Sequence, residues 1–266
     1  MRVLLTGHHG YVGSIAGPVL VSAGHDVVGL DAFFYDGCDL LPDAVSIPAH
    51  RLDLRDLAPE LLDGFDAVVH LAALSNDPLG DLDPALTNEI NYAATVRLAE
   101  AAKARGVTRF VFASSCSMYG AADSSTLVDE TAPLAPLTAY ASSKVDAERS
   151  LLALADGDFS PTCLRFATAY GASPRLRLDI VLNNLAGWAL TTGKVRLLSD
   201  GSAWRPLIHV EDMAAAIAAV LDAPAEAVRA ESFNVGATDA NYRVRELAQV
   251  VSQAVPGSTV ELAEGG

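Results

Sequence analysis

Apolar and polar residues alternate along the first 170 positions in two rhythms. Short β-branched runs at 3–6, 27–31, 67–71, 110–113 and 162–166 read as strands. Helical patterns separate them, and this alternation predicts a parallel, doubly wound α/β sheet of Rossmann-like type. One helix is bounded by Asp83-Pro84, an N-cap and a first-turn proline, and by Lys103, Arg105 and Gly106 at its end. Its apolar positions Leu86, Ile90, Ala94, Leu98 and Ala101 keep a 3.6-residue period and are expected to face the core. A second helix is expected from Thr138-Ala139 to about residue 155, after the proline-spaced surface loop 120–137. Beyond Gly171 the pattern loosens into a helix at 180–191, a strand at 195–198, a helix at 211–221, a strand at 233–235 and a helix at 244–255. These segments read as a smaller lobe over 171–266 laid beside a first domain over 1–170.

The chain has 266 residues, long enough to bury a large core, and its composition excludes disordered, collagenous and disulfide-stapled classes. Eighteen basic residues against 33 acidic ones give a net charge of −15, a field that repels nucleic acid and anionic lipid. A nucleotide ligand stays compatible with it, because backbone N–H groups and single arginines hold small anions locally. No apolar run reaches membrane-spanning length, and the strand that follows Met1 leaves no room for a secretory leader, so the cytoplasm is the expected location. Cys38, Cys116 and Cys163 lie far apart and suggest neither a disulfide framework nor a metal site.

After the first strand comes Gly7-His8-His9-Gly10-Tyr11-Val12-Gly13, leading into a helix. Glycine is needed where the chain turns tightly, where backbone approaches pyrophosphate and where helix meets strand. The second strand ends in Asp31, 18 residues after Gly13, where a carboxylate can accept both hydroxyls of an adenosine ribose; the alternative is a solvated strand-end side chain. No Arg or Lys lies within several residues of it, which favours NAD over NADP. Asp53, with Leu54 beside it, falls where the third strand would end near the adenine, although alone Asp53 reads as a helix cap.

Tyr140-Ala141-Ser142-Ser143-Lys144 places a phenol and an ammonium on one helical face, where the cation favours phenolate and suits Tyr140 to acid/base work. The strand at 110–113 delivers Ser114-Ser115-Cys116-Ser117-Met118-Tyr119-Gly120 at the carboxyl end of the sheet, where doubly wound folds put their chemistry.

On these residues the chain resembles the extended short-chain dehydrogenase/reductase family, and within it the nucleotide-sugar epimerases and dehydratases. Further matching features are His70-Leu71-Ala72-Ala73, Asn91, Leu164-Arg165-Phe166, Asn183-Asn184-Leu185, the stretch from Arg205 to Asp212, and Phe233-Asn234-Val235-Gly236. The resemblance implies Ser115, Tyr140 and Lys144 as the catalytic set, with Tyr140 and Lys144 also touching NAD. It implies cofactor contacts from Gly7, Gly10, Tyr11, Val12, Gly13, Asp31, Asp53, Leu54, Leu71, Ala72, Ala73, Asn91 and Ser114. Asn184 and Arg205 match positions that hold the substrate diphosphate, and Thr168 stands where a substrate-binding Asn is usual. Ser75 and Ser117 are counted with them as substrate contacts, and no metal is expected. A homodimer through the helices at 85–105 and 139–155 is also implied, as is a lobe incomplete at its C-terminus.

Reaction type turns on two positions. In the 4,6-dehydratases that resemble this chain, Asp-Glu follows the catalytic Thr; here Cys116 and Ser117 stand there, and neither replaces a carboxylate pair near pH 7. The expected activity is therefore an isomerase: a 4-epimerase acting on a nucleotide-linked hexose or uronic acid through a transient 4-keto sugar. A dehydratase or 4-ketoreductase is the alternative, and a non-catalytic NAD-binding regulator the second. Cys116 reads as buried filler or as an acid, and His8 and His9 as phosphate contacts or surface groups. His70 and His209 read as structural histidines, Arg175 and Arg177 as a solvated loop by default or as phosphate contacts, and Ser75, Asn76 and Asp77 as lying toward the sugar.

Overall fold

The computed structural model describes residues 1–41, 45–75, 77–120 and 127–262. In chain order its elements are β1 Arg2–Thr6, α1 Gly13–Ser22, β2 Asp26–Asp31, β3 Ala49–Arg51, β4 Ala67–His70, α2 Asp77–Leu82, α3 Pro84–Asn88 and α4 Ala94–Ala104. Then come β5 Arg109–Ser115, α5 Ala139–Ala153, β6 Ser160–Phe166, β7 Thr168–Tyr170, α6 Val181–Thr192, β8 Lys194–Leu197 and β9 Trp204–His209. The last are α7 Val210–Asp222, α8 Ala225–Val228, β10 Glu231–Val235, β11 Asn241–Arg243, α9 Val244–Ala254 and β12 Thr259–Leu262.

Seven strands form one sheet in the order β10-β6-β5-β4-β1-β2-β3, every neighbouring pair parallel. Strand order reverses between β1 and β4, and at such a switch point the loops leaving the two carboxyl ends part to make a crevice. Leu4, Val68, Phe110 and Phe112 fill one face of the sheet with Leu98, Ala102 and Leu151 of α4 and α5. Val3, Leu5, Val69 and Val111 fill the other with Ala16 and Leu20 of α1 and Ile217 and Leu221 of α7. Two small sheets, β11-β9-β7 and β12-β8, share a third core built on Leu185, Val195, Leu207, Leu247 and Val251.

The five expected strands of the first 170 residues and the helix at 139–153 form as the pattern predicts, and the Thr138 hydroxyl caps that helix by accepting the Ala141 N–H at 3.1 Å. Two expectations need correction. The main sheet does not end at residue 170: β10, drawn from residues 231–235, pairs with β6, and α7 packs on its face. Without β10, β6 would be an edge with a row of unpaired N–H and C=O groups. The helix at 84–104 is interrupted by a π-turn at Glu89–Ala93, and its extra residue rotates the buried stripe. Ala94 and Leu98 are buried as expected, but Leu86, Ile90 and Ala101 are only half-buried, and Thr87, Asn91 and Thr95 take the interior instead. The sequence pattern also misses β7, β9, β11 and β12: two have three residues, and Pro206 inside β9 argues against a strand. Among the described residues no helix is long and apolar enough to cross a membrane.

Candidate active site

The loop after β1 and the loop after β4 meet at the switch point. Gly7 has a positive φ of 72°, and a Cβ there would come within 2.7 Å of the Ala72 backbone nitrogen. A Cβ on Gly13 would fall 2.1 Å from the Gly7 carbonyl oxygen, so neither position admits a side chain. A cleft of about 1730 Å³ opens from this loop across the carboxyl ends of the strands. Gly7, Gly10, Tyr11, Val12, Gly13, Asp31, Asp53, Leu54, Leu71, Ala72 and Ala73 line one end of it. Ser75, Ser114, Ser115, Ser117, Tyr140, Lys144, Thr168, Asn184 and Arg205 line the rest. Residues from Gly7 to Arg205 thus contribute to one cavity, large enough for a dinucleotide and a second nucleotide-sized ligand.

Asp31 ends β2 with both carboxylate oxygens anchored, one by the His9 N–H at 3.0 Å and the other by the Phe33 N–H at 2.8 Å. Each oxygen keeps accepting capacity for a ribose diol. Phe33 holds a φ of 57°, unfavourable for an aromatic residue, and packs in a tilted contact on the His9 ring at 4.3 Å between centroids. His8 is not a surface group: its buried ring lies over Gly29, where a Cβ would collide with it at 2.4 Å. Asp53 caps the short 3₁₀ turn Leu54–Asp56 while lining the cleft, and Arg55 engages both its oxygens at 2.9–3.0 Å, which holds its carboxyl below the usual range.

Segment 171–179 runs back over the glycine loop. The Tyr11 hydroxyl donates to the Gly171 carbonyl at 2.9 Å, the Ser173 hydroxyl to the Tyr11 carbonyl at 2.8 Å, and Arg175 pairs with Asp39 at 2.6 Å and with the His9 ring. Arg175, expected by default in a solvated loop, is buried, because this pairing and the close approach to the loop draw it inward. Arg177 is clamped between Asp179 and Ser75, donating to the Ser75 hydroxyl at 3.0 Å. Asn76 lies outside the described residues.

Tyr140 and Lys144 share one face of α5. Lys144 Nζ is buried, donates to the Ala113 carbonyl at 2.7 Å and stands 4.5 Å from the Phe112 ring centroid. Burial drives its amine down to about 7. Burial likewise pushes the Tyr140 phenol up to about 12, against a hydrogen bond from Ser115 and the charge of Arg177, both of which lower it. Ser115 ends β5 and caps the turn Cys116–Tyr119 by accepting the Ser117 N–H at 3.2 Å. The Ser117 hydroxyl is buried with no hydrogen-bond partner among the described residues. The Ser114 hydroxyl is turned to Glu148 at 2.9 Å. Asn91, buried in the π-turn, bonds both the N–H and the carbonyl of Leu74 and reaches Ser143, which ties the loop after β4 to α5. Burial raises the Cys116 thiol to about 11 even though Arg205 lies close enough to lower it. Arg205 is exposed and donates to the Trp204 carbonyl at 2.8 Å; Asn184 donates to the Leu178 carbonyl at 2.7 Å.

His70 is structural, as its sequence context suggests: it bridges the hydroxyls of Thr6 at 2.6 Å and Thr95 at 2.8 Å. His209 caps α7 by accepting the Glu211 N–H. Sequence reasoning missed the Glu148–Arg165 ion pair beneath the serine turn, although Glu148 stands four residues beyond Lys144 on the same face of α5.

Comparison with known proteins agrees with this architecture. UDP-glucose 4-epimerase of Corynebacterium glutamicum is 32% identical over 94% of this chain and 79% of its own length. The structure of MoeE5 with UDP-glucuronic acid and NAD superposes with a TM-score of 0.84 at 32% identity, over 99% of this chain and 86% of that one. The UDP-glucose 4-epimerase of Thermus thermophilus, solved with NAD, gives a TM-score of 0.84 at 28% identity over 98% of this chain and 85% of that one. Residues 3–236 match the NAD dependent epimerase/dehydratase family, and the chain belongs to that family.

Proposed function

We propose that this protein is a nucleotide-sugar 4-epimerase, acting on a nucleoside-diphosphate hexose or uronic acid. One observation carries the reading: Ser115, Tyr140 and Lys144 line one cleft with the glycine loop, while Cys116 and Ser117 leave no carboxylate pair beside Ser115 to eliminate water. The similarity to UDP-glucose 4-epimerases supports it.

NAD would lie along Gly7, Gly10 and Gly13, with Asp31 on the adenosine ribose and Lys144 on the other ribose. The side-chain-free cradle at Gly7 and Gly13 and the spare accepting capacity of Asp31 fit such a ligand. Bound there, NAD supplies a hydride acceptor that returns the hydride, so the sugar leaves with one centre inverted and no net oxidation. Tyr140 takes the proton of the 4-hydroxyl and later gives it back. Ser115 donates to the same oxygen and fixes the direction of proton transfer. Lys144, when protonated, holds the Tyr140 phenolate by its charge. α6 and β9 supply the diphosphate contacts, Arg205 through its guanidinium and Asn184 through its amide. Thr168, Ser75 and Ser117 face the sugar.

The protein acts as a homodimer through the α3–α4 and α5 faces, where Leu86 and Ile90 are left half-buried. A concentration-independent monomer in sedimentation would contradict this.

Incubation with UDP-, dTDP-, CDP- and GDP-linked hexoses and uronic acids in D₂O, without added cofactor and followed by proton NMR, tests the activity. Inversion at C4 without deuterium in the ring is the expected result. NADH accumulating together with a released keto sugar would instead assign a net oxidoreductase, and a 4-keto-6-deoxy product a dehydratase.

A further inference from the structure

Tyr140 and Lys144 are the first two members of a longer stripe on α5, because Glu148 follows Lys144 by four residues. Glu148 and Arg165 form an ion pair buried to within a few per cent, with Arg165 Nε 3.1 and 3.2 Å from the two carboxylate oxygens and Nη2 on one of them. A buried pair of this kind contributes little net stability compared with apolar residues of similar volume, so its presence calls for another account.

Its remaining bonds supply one. Glu148 accepts the Ser114 hydroxyl at 2.9 Å, just before Ser115. Arg165 Nη1 donates to the Tyr119 hydroxyl at 2.8 Å, and Tyr119 closes the turn that begins after Ser115. Ser115 is therefore bracketed on both sides by side chains fixed to the same ion pair. Lys144, donating to Ala113, adds a second direct tie between α5 and this end of β5. The far side of the network is anchored as well: Tyr119 donates to Asn234 Oδ1 at 2.7 Å, and Ser232 donates to Glu148 at 2.9 Å, both from β10. The Leu164-Arg165 and Phe233-Asn234 stretches thus meet behind the serine turn.

We infer that the Glu148–Arg165 pair is a positioning element that sets Ser115 against Tyr140, with Tyr119 as its link to the turn. The pair touches no reacting atom; it acts by holding β5, the turn and α5 in one register. The inference rests on the epimerase reading for its kinetic arm.

Two variants test it, Tyr119→Phe and the paired Glu148→Met with Arg165→Met, which exchanges the ions for apolar side chains of similar length. The readouts are kcat and KM with UDP-glucose, bound NAD content, and the single-turnover rate of NAD reduction at 340 nm. The expected result is a fall in kcat and in the reduction rate of about 10-fold for Tyr119→Phe and about 100-fold for the paired variant, the scale of an ångström misplacement. KM and NAD content should stay within about twofold. A folded paired variant with wild-type kcat overturns the inference, and if that variant fails to fold, a wild-type reduction rate in Tyr119→Phe does so alone. If the wild-type protein reduces no NAD with any nucleotide sugar, the activity reading falls. Crystal structures of the same variants then decide the positioning role: Ser115 displaced out of hydrogen-bonding reach of Tyr140 supports it, and an unchanged pair of hydroxyls overturns it.

Discussion

Lys144 Nζ stands 5.7 Å from the centroid of the Tyr140 ring, one helical turn further along α5, and is fixed there by the Ala113 carbonyl. Phenol and amine are held close in a buried site that disfavours both their charged forms, so each is sensitive to charge brought near it. Tyr140→Phe should lower turnover about 1000-fold, the range for loss of a general base, while NAD content after purification stays unchanged. Retained turnover would remove Tyr140 from the mechanism.

Lys144 also sets a pH dependence of stability. Its folded-state pKa of about 7 lies below the ordinary 10.5, so between these values the unfolded chain binds more protons and stability rises with pH. The limiting slope is about 1.4 kcal/mol per pH unit. Tyr140 acts in the opposite sense above pH 10, because its folded value is raised to about 12. Nucleotide-free protein should therefore gain thermal stability from pH 7 to 9.5, and Lys144→Met should flatten the rise and unfold at higher temperature at pH 7. Parallel melting curves for the two proteins across that window would refute the assignment.

Segment 171–179 lies over the glycine loop, tied to it through Tyr11, Ser173 and Arg175, and these ties are expected to slow the exit of a dinucleotide from the cleft. Arg175→Leu removes the pair with Asp39 and the contact with His9. Each 1.4 kcal/mol taken from the closed form speeds release about tenfold. Stopped-flow displacement should show NAD dissociating at least about tenfold faster than from wild type. An unchanged off-rate would mean that the segment does not gate the cofactor.

What the sequence discloses and what it hides divide along physical lines. The strands, the Asp83 and Thr138 caps and the glycine loop are local patterns, each set by neighbours within a few residues. Arg175 is hidden because the carboxylate that buries it, Asp39, lies 136 residues earlier, and no local pattern pairs them. The π-turn is hidden because the residues it turns inward, Thr87, Asn91 and Thr95, are polar and become core only through bonds to Gly80, Leu74 and His70. Glu148 lay in plain view on the stripe of Tyr140 and Lys144, but its role needs Arg165 and Tyr119, brought to it only by the folded sheet.

Cys116 separates epimerisation from elimination. It begins the turn after Ser115 and lines the cleft, at the position where the 4,6-dehydratases that resemble this chain carry the first of their two carboxylates. Burial raises its thiol to about 11, and the charge of Arg205 does not bring it back. Near pH 7.5 only about one molecule in three thousand carries the thiolate that nucleophilic or basic work requires. Cys116→Ala should therefore leave the rate of C4 inversion within about threefold of wild type and form no keto-deoxy sugar. A drop in kcat of about 100-fold or more, with KM unchanged, would mean that the thiol takes part in the chemistry, and the elimination reading would return with Cys116 as its acid.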